Sequence, residues 1–174
     1  MSSHSAAEAR ALLVELGAPA RLLRHVELVT EAADMLLAGL HRLRVSLNAD
    51  LVLAGVALHD VGKIRYPAEL DQAGSEHEPA GQALLLQRGV SSDLARICVS
   101  HARWDQPGTS FEELLVALSD KLWKGVRKPD LEERVIDSAA HLLGRARWDV
   151  FVELDSLFEE IAAGGSKRLE QSNT

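Results

Sequence analysis

Apolar residues recur at helical spacing through most of the chain. Residues 5–16 read as a short amphipathic helix ended by Gly17, and Pro19 suits the start of a longer helix running to about residue 44. In that second helix Leu22, Val29, Ala32 and Leu36 recur at three- and four-residue steps. His25 shares their stripe and faces the core, whereas His41 lies on a more polar face. Asn48 is a good N-cap for the next segment. Leu51 to Leu58 is apolar all round, so periodicity leaves helix and strand open; its alanines, leucines and Gly55 favour helix. Ser75 and Glu78 have the spacing of a capping box, with Pro79 in the first turn, and predict a helix to about residue 88. Ser91 or Ser92 caps a further helix that puts Leu94, Ile97, Cys98 and His101 on one face, and residues 104–110 form a loop. Residues 111–124 are helical and place Asp120 on the face of Val116, Ala117 and Trp123. Helices over about 130–143 and 147–163 follow, and Gly164-Gly165-Ser166 opens a polar tail expected to be flexible.

The pattern predicts an all-α fold, a single-domain helical bundle. A helical extension over 1–18 precedes a core over 19–125, C-terminal helices over 126–163 pack on it, and 164–174 form the tail. Composition agrees: 47% of residues are hydrophobic and only 4% aromatic, with Leu and Ala dominant and β-branched runs scarce. The formal charge of −7 argues against binding long nucleic acid through a basic face, but leaves room for a locally positive phosphate pocket. Cys98 is the only cysteine, which excludes a disulfide framework and a thiolate zinc site and points to a reducing cytoplasm. The longest apolar run is far short of the ~20 residues of a membrane span, so no membrane partner is expected. Oligomeric state is not legible, because the helices over 5–16 and 147–163 suit either a core cover or a dimer contact.

The chemistry lies in a series of histidines and aspartates: His25, the pair His59-Asp60, His77, His101 and Asp120. These side chains hold borderline and hard divalent cations, and segments so far apart act together only if the fold gathers them. Core-facing His25, His59, Asp60 and Asp120 would each need a buried partner, and one cation satisfies all four. For His77 the residue pattern leaves open a hydrogen-bonded core histidine or a ligand. His4, His41 and His141 have no place in the series.

His59-Asp60 follows an eight-residue apolar run, leads into Val-Gly-Lys63, and has His25 upstream and Asp120 downstream. In this the chain resembles the HD-domain superfamily of metal-dependent phosphohydrolases over roughly residues 20–125. The resemblance implies a helical bundle of the HD-domain type, with His25, His59, Asp60 and Asp120 holding one metal ion. His77 and His101 match the six-ligand subgroup, in which Asp60 would bridge a second ion. The segment Ser75-Glu-His77-Glu-Pro-Ala-Gly81 resembles the bacterial HD-type symmetrical diadenosine tetraphosphate hydrolases. Ala102-Arg103-Trp104 departs from that group's small, Thr- and Gly-rich sequence, and no Gly-Tyr-Pro tripeptide of the cyclic-dinucleotide phosphodiesterases occurs.

The implied cofactors are two divalent ions. Nitrogen and oxygen ligands suit Fe, Mn, Co, Ni, Zn or Mg, with Fe or Mn first by resemblance. The implied function is cleavage of a phosphoester or phosphoanhydride bond in a nucleotide-like small molecule by metal-bound hydroxide, with a dinucleoside polyphosphate its sharpest form. Alternatives are a di-iron oxygenase of the HD type and a non-catalytic nucleotide-binding module. Asp60 and Lys63 are the expected catalytic residues. Lys63 is read either as a phosphate contact or as a solvated helix-end lysine. Lys124 shares a helical face with Lys121 and Lys128, read as a grip on distal phosphates or as a surface stripe paired with glutamates. Arg103 and Trp104 are candidates for a phosphate contact and a base-stacking platform, and Trp123 and Trp148 are expected to fill core space.

Overall fold

The computed structural model describes residues 4–173 as nine α-helices with no strand among them. Helix α1 (Ala6–Glu15) begins at a capping box in which the Ser5 hydroxyl accepts from the Glu8 amide and the Glu8 carboxylate accepts from the Ser5 amide. It ends at Gly17, whose φ of +86° a glycine adopts without strain. Helix α2 (Ala20–Arg42) is the longest element and buries Leu22, Val26, Val29, Ala32, Leu36 and Leu40 along one side. Helix α3 (Ala49–Leu58) resolves the all-apolar run in favour of helix, capped by Asn48, whose side chain accepts from the Leu51 amide. It lies at the centre, against α1 on one side and α2 on another.

Helices α4 (His77–Gln87), α5 (Ser92–Ser100) and α6 (Phe111–Leu122) complete the core, with α4 against α5 and α6 against both α2 and α3. Helices α7 (Pro129–Leu143) and α8 (Arg147–Ala163) pair with each other, α7 resting on α6 and α8 on α2. No helix among the described residues is long and apolar enough to cross a membrane.

Four expectations need correction. The segment expected to be a flexible tail forms helix α9 (Gly165–Ser172), because Arg168 is buried and anchors it. Its guanidinium donates to the main-chain oxygens of Trp123 (3.2 Å) and Ile161 (2.8 Å), so the helix docks through a satisfied cation rather than an apolar stripe. Trp148 does not fill the core: it is 72% exposed on the outer face of α8, with the Arg147 guanidinium 5.7 Å above its ring. The Ser75–Glu78 capping box does not form. The Glu69 carboxylate takes its place, accepting from the amides of Glu76 (3.1 Å) and His77 (3.0 Å) at the start of α4. Finally, Lys121, Lys124 and Lys128 do not share a helical face, since α6 stops at Leu122 and Gly125 turns the chain at φ +80°.

Candidate metal centre

The six residues of the His/Asp series come from five separate helices or helix ends and meet at one place. His25 projects from the buried side of α2 and Asp120 from α6. His59 caps the C-terminus of α3 and Asp60 follows it, opening a 3-10 turn over Val61–Ile64. His77 opens α4 and His101 ends α5. Helix ends serve the site because the chain turns there, which allows two adjacent side chains, His59 and Asp60, to reach the same point.

Asp60 is 3% exposed and divides the set between its two oxygens. Oδ2 lies 3.3 Å from His25 Nε2 and 3.5 Å from His59 Nε2, and these two nitrogens lie 3.6 and 3.3 Å from Asp120 Oδ1. Oδ1 lies 3.2 Å from His77 Nε2 and 3.6 Å from His101 Nε2. Two clusters result, one of His25, His59 and Asp120 and one of His59, Asp60 and His101, each with donor atoms within 4.8 Å of one another.

The imidazoles are held so that Nε2 faces inward. His59 Nδ1 sits 2.7 Å from the Val56 carbonyl, His101 Nδ1 3.1 Å from the Ile97 carbonyl, and His77 Nδ1 is hydrogen-bonded to Glu69. A ring that donates from Nδ1 leaves a lone pair on Nε2, the tautomer a metal ligand requires. The Nε2 atoms of His25, His59 and His77 are buried yet have no well-aligned hydrogen-bond partner among the described residues, only carboxylate oxygens 3.2–3.3 Å away. Buried polar atoms without partners are rare in folded proteins, and three aimed at one carboxylate fit a divalent cation.

Without a cation the cluster is tied together by protons. Burial opposes charge on His59, but Asp60 and Asp120 outweigh it and push the imidazole up to about 9. Burial likewise opposes charge on Asp120, yet His59 holds its carboxyl down at about 2, and His59, His25 and His77 hold Asp60 well below the usual carboxylate range. Burial and the neighbouring His59 lower His101. A cation held by the same carboxylates would take over the charge that a proton on His59 supplies in its absence.

Glycine permits the close packing. A Cβ on Gly62 would lie 1.8 Å from the His77 carbonyl oxygen, so the turn after Asp60 touches the first residue of α4 directly. On the other side, the Trp123 ring packs edge-on against His25 at a centroid distance of 5.0 Å.

The cleft above the ligands, about 230 Å³, is lined by His25, Asp60, Lys63, Trp123 and Lys124 among others. Lys63 Nζ is 2.9 Å from Asp60 Oδ2, so it is not a free helix-end lysine. The Lys124 ammonium has no partner among the described residues. Arg103 and Trp104 line other hollows: Arg103 sits with Gln82, Arg96 and Gln106, and Trp104 with Lys121 and Lys128. The chain turns away once α5 has delivered His101, and Arg134 of α7 holds the Trp104 carbonyl at 3.0 Å. Arg127 is a structural cation, bound to Glu132, Asp155 and Glu159. The sequence reading missed Glu69, which lies in a short 3-10 turn with no periodic signal, and Arg21, which stands one helical turn before His25 on α2.

An all-α bundle that gathers four histidines and a second aspartate around the buried Asp60 carboxylate has the donor set of a divalent-metal site. The HD domain family profile matches residues 22–144, most of the chain, and the chain belongs to that family. The match continues past residue 125 through α7. No curated protein and no solved structure matches the chain. The family and the two clusters together support metal-dependent phosphohydrolase chemistry of the HD type.

Proposed function

We propose that the protein hydrolyses a phosphoester or phosphoanhydride bond of a nucleotide-like small molecule, using two divalent ions held by His25, His59, Asp60, His77, His101 and Asp120. The observation that carries this reading is the division of the Asp60 oxygens, one toward His25 and His59 and the other toward His77 and His101, beneath a cleft that also holds Lys63 and Lys124. Divalent cations in such a set lower the pKa of water toward neutrality and polarise a phosphoryl oxygen.

The protein's own groups do the rest. His59, His77 and His101 are fixed in the ligating tautomer by Val56, Glu69 and Ile97. Lys63, already 2.9 Å from Asp60, stabilises negative charge as it builds on the phosphoryl group. Lys124 supplies a cation whose partner is the substrate phosphate. Walls formed by Trp123 and Leu70 exclude water from one side of the reacting group. Two lysines in the cleft favour an anionic substrate, and a dinucleoside polyphosphate is one member of the class.

The test is a screen of phosphorylated nucleotides against protein loaded with Mn(II) or Fe(II), under air and under argon. Formation of the hydrolysed phosphorylated products, separated by anion-exchange chromatography, at equal rate in both atmospheres and falling to background in Asp60→Ala, is the expected result. Turnover that requires dioxygen would overturn the hydrolase in favour of an oxygenase, and metal binding without turnover would favour a binding module.

A further inference from the structure

The cleft over the metal ligands does not stop at Lys124. Its wall includes Arg21 of α2 and Ser172 of α9, and both residues also line a larger hollow of about 620 Å³ completed by Ala20, Arg24 and Asn173. Shared walls make the two spaces neighbouring chambers, with α9 as the outer wall of the second. That wall is built in. Arg168 ties α9 to the main chain at Trp123, the residue that packs on His25, and Gly165 abuts Gly125 so closely that a Cβ would lie 2.3 Å from the Gly125 amide nitrogen. Arg24 holds the far end of α9 through its Nε, 3.3 Å from the Gln171 carbonyl.

Size decides how the chambers are used. Pockets that enclose a small ligand run from about 300 to 1,000 Å³, so the inner chamber at about 230 Å³ takes a phosphoryl group and little more. The remainder of a nucleotide-sized substrate must enter the outer one. There the donors are two guanidiniums, each with five N–H groups. Arg21 gives Nη1 to Asp71, and Arg24 gives Nε to Gln171 and Nη1 to Glu27 at 3.1 Å. The Nη2 groups of both have no partner among the described residues. Asp71 and Glu27 orient the two forks while leaving those donors unspent, the arrangement suited to a second phosphate.

We propose that Arg21 and Arg24, with the end of α9, form a distal phosphate subsite, so that the preferred substrate carries at least two phosphates, one at the metal ligands and one in the outer chamber. The proposal rests on the phosphohydrolase reading for its substrate, but its binding consequence is separable. The test measures affinity of the Mn(II)-loaded full chain, by titration calorimetry, for a methylene-bridged nucleoside triphosphate and for a nucleoside monophosphate, in wild type, Arg21→Gln, Arg24→Gln and Arg24→Lys. Loss of a charge-assisted hydrogen bond is worth roughly ten- to hundredfold. Each Gln variant should therefore weaken the triphosphate analogue at least tenfold and the monophosphate less than threefold, with Arg24→Lys recovering part of the loss. Arg21 is on the surface, so its variant folds even if Arg24→Gln disturbs the neighbouring His25. Equal losses for both ligands, or no loss for either, would overturn the subsite. Hydrolysis that persists without arginine dependence sinks the subsite and leaves the enzyme reading standing; arginine-dependent binding without hydrolysis does the reverse.

Discussion

Removing the metal should make the protein's stability fall with rising pH in a window set by His59. In the metal-free centre that imidazole is fully buried between Asp60 and Asp120, and its pKa rises from 6.5 to about 9. A group whose folded pKa is raised contributes its full stabilisation below the unfolded value and loses it as pH climbs through the folded value. Here the contribution is complete below pH 6.5 and gone above about 9. The difference corresponds to about 3 kcal/mol, counted once although the same ion pairs also depress Asp120. His77 is raised too, burial being outweighed by Asp60 and Glu69, and adds in the same direction. His101 is lowered and acts only below the window, and the Asp120 contribution is lost only as pH falls toward about 2. For a chain of this length 1 kcal/mol moves Tm by about 2–4 °C, so chelator-stripped protein should lose roughly 6–12 °C between pH 6.5 and 9. Protein loaded with Mn(II) should show no such fall, because the cation replaces the proton and binds more tightly as pH rises. The assay is differential scanning calorimetry of both forms across that range. A flat profile for the stripped protein, or parallel losses in both forms, would refute the reading that a cation takes over the charge that the His59 proton supplies.

Two further substitutions probe the support of the centre. Glu69→Ala removes the acceptor that orients His77 and should cost about 10–100-fold in affinity for the ion on that side, read by competition with a chelating dye; unchanged affinity would remove Glu69 from any positioning role. Gly62→Ala drives a methyl into the main-chain oxygen of His77, which cannot swing aside, so urea unfolding should report a loss of about 3 kcal/mol and metal analysis a loss of the ion proposed for the His77 side; a variant that keeps its stability and its metal content would show that the turn relaxes freely.

Much of the architecture was legible because apolar spacing and caps act locally. The stripe through Leu22, Val29 and Leu36 placed His25 correctly, and the helices over 130–143 and 147–163 differ little from α7 and α8. The illegible parts depend on contacts between residues far apart in sequence. Residues 165–172 carry no apolar face, and their order comes from Arg168 finding main-chain acceptors on two other segments. Glu69 reaches His77 across a loop, and Trp148 rests beneath Arg147 rather than in the core. Lys121 and Lys128 part from Lys124 because one left-handed glycine ends the helix that would have aligned them.

The thiol of Cys98 lies directly behind the histidines, donating to the Leu58 carbonyl at 3.4 Å and facing Gly81, and burial pushes it up to about 12. At neutral pH only about one molecule in 10⁵ carries the thiolate there. An alkylating reagent reaches the chain's one cysteine only when α3, α4 and α5 part, so the rate of labelling is a built-in clock for the opening of the metal centre from behind.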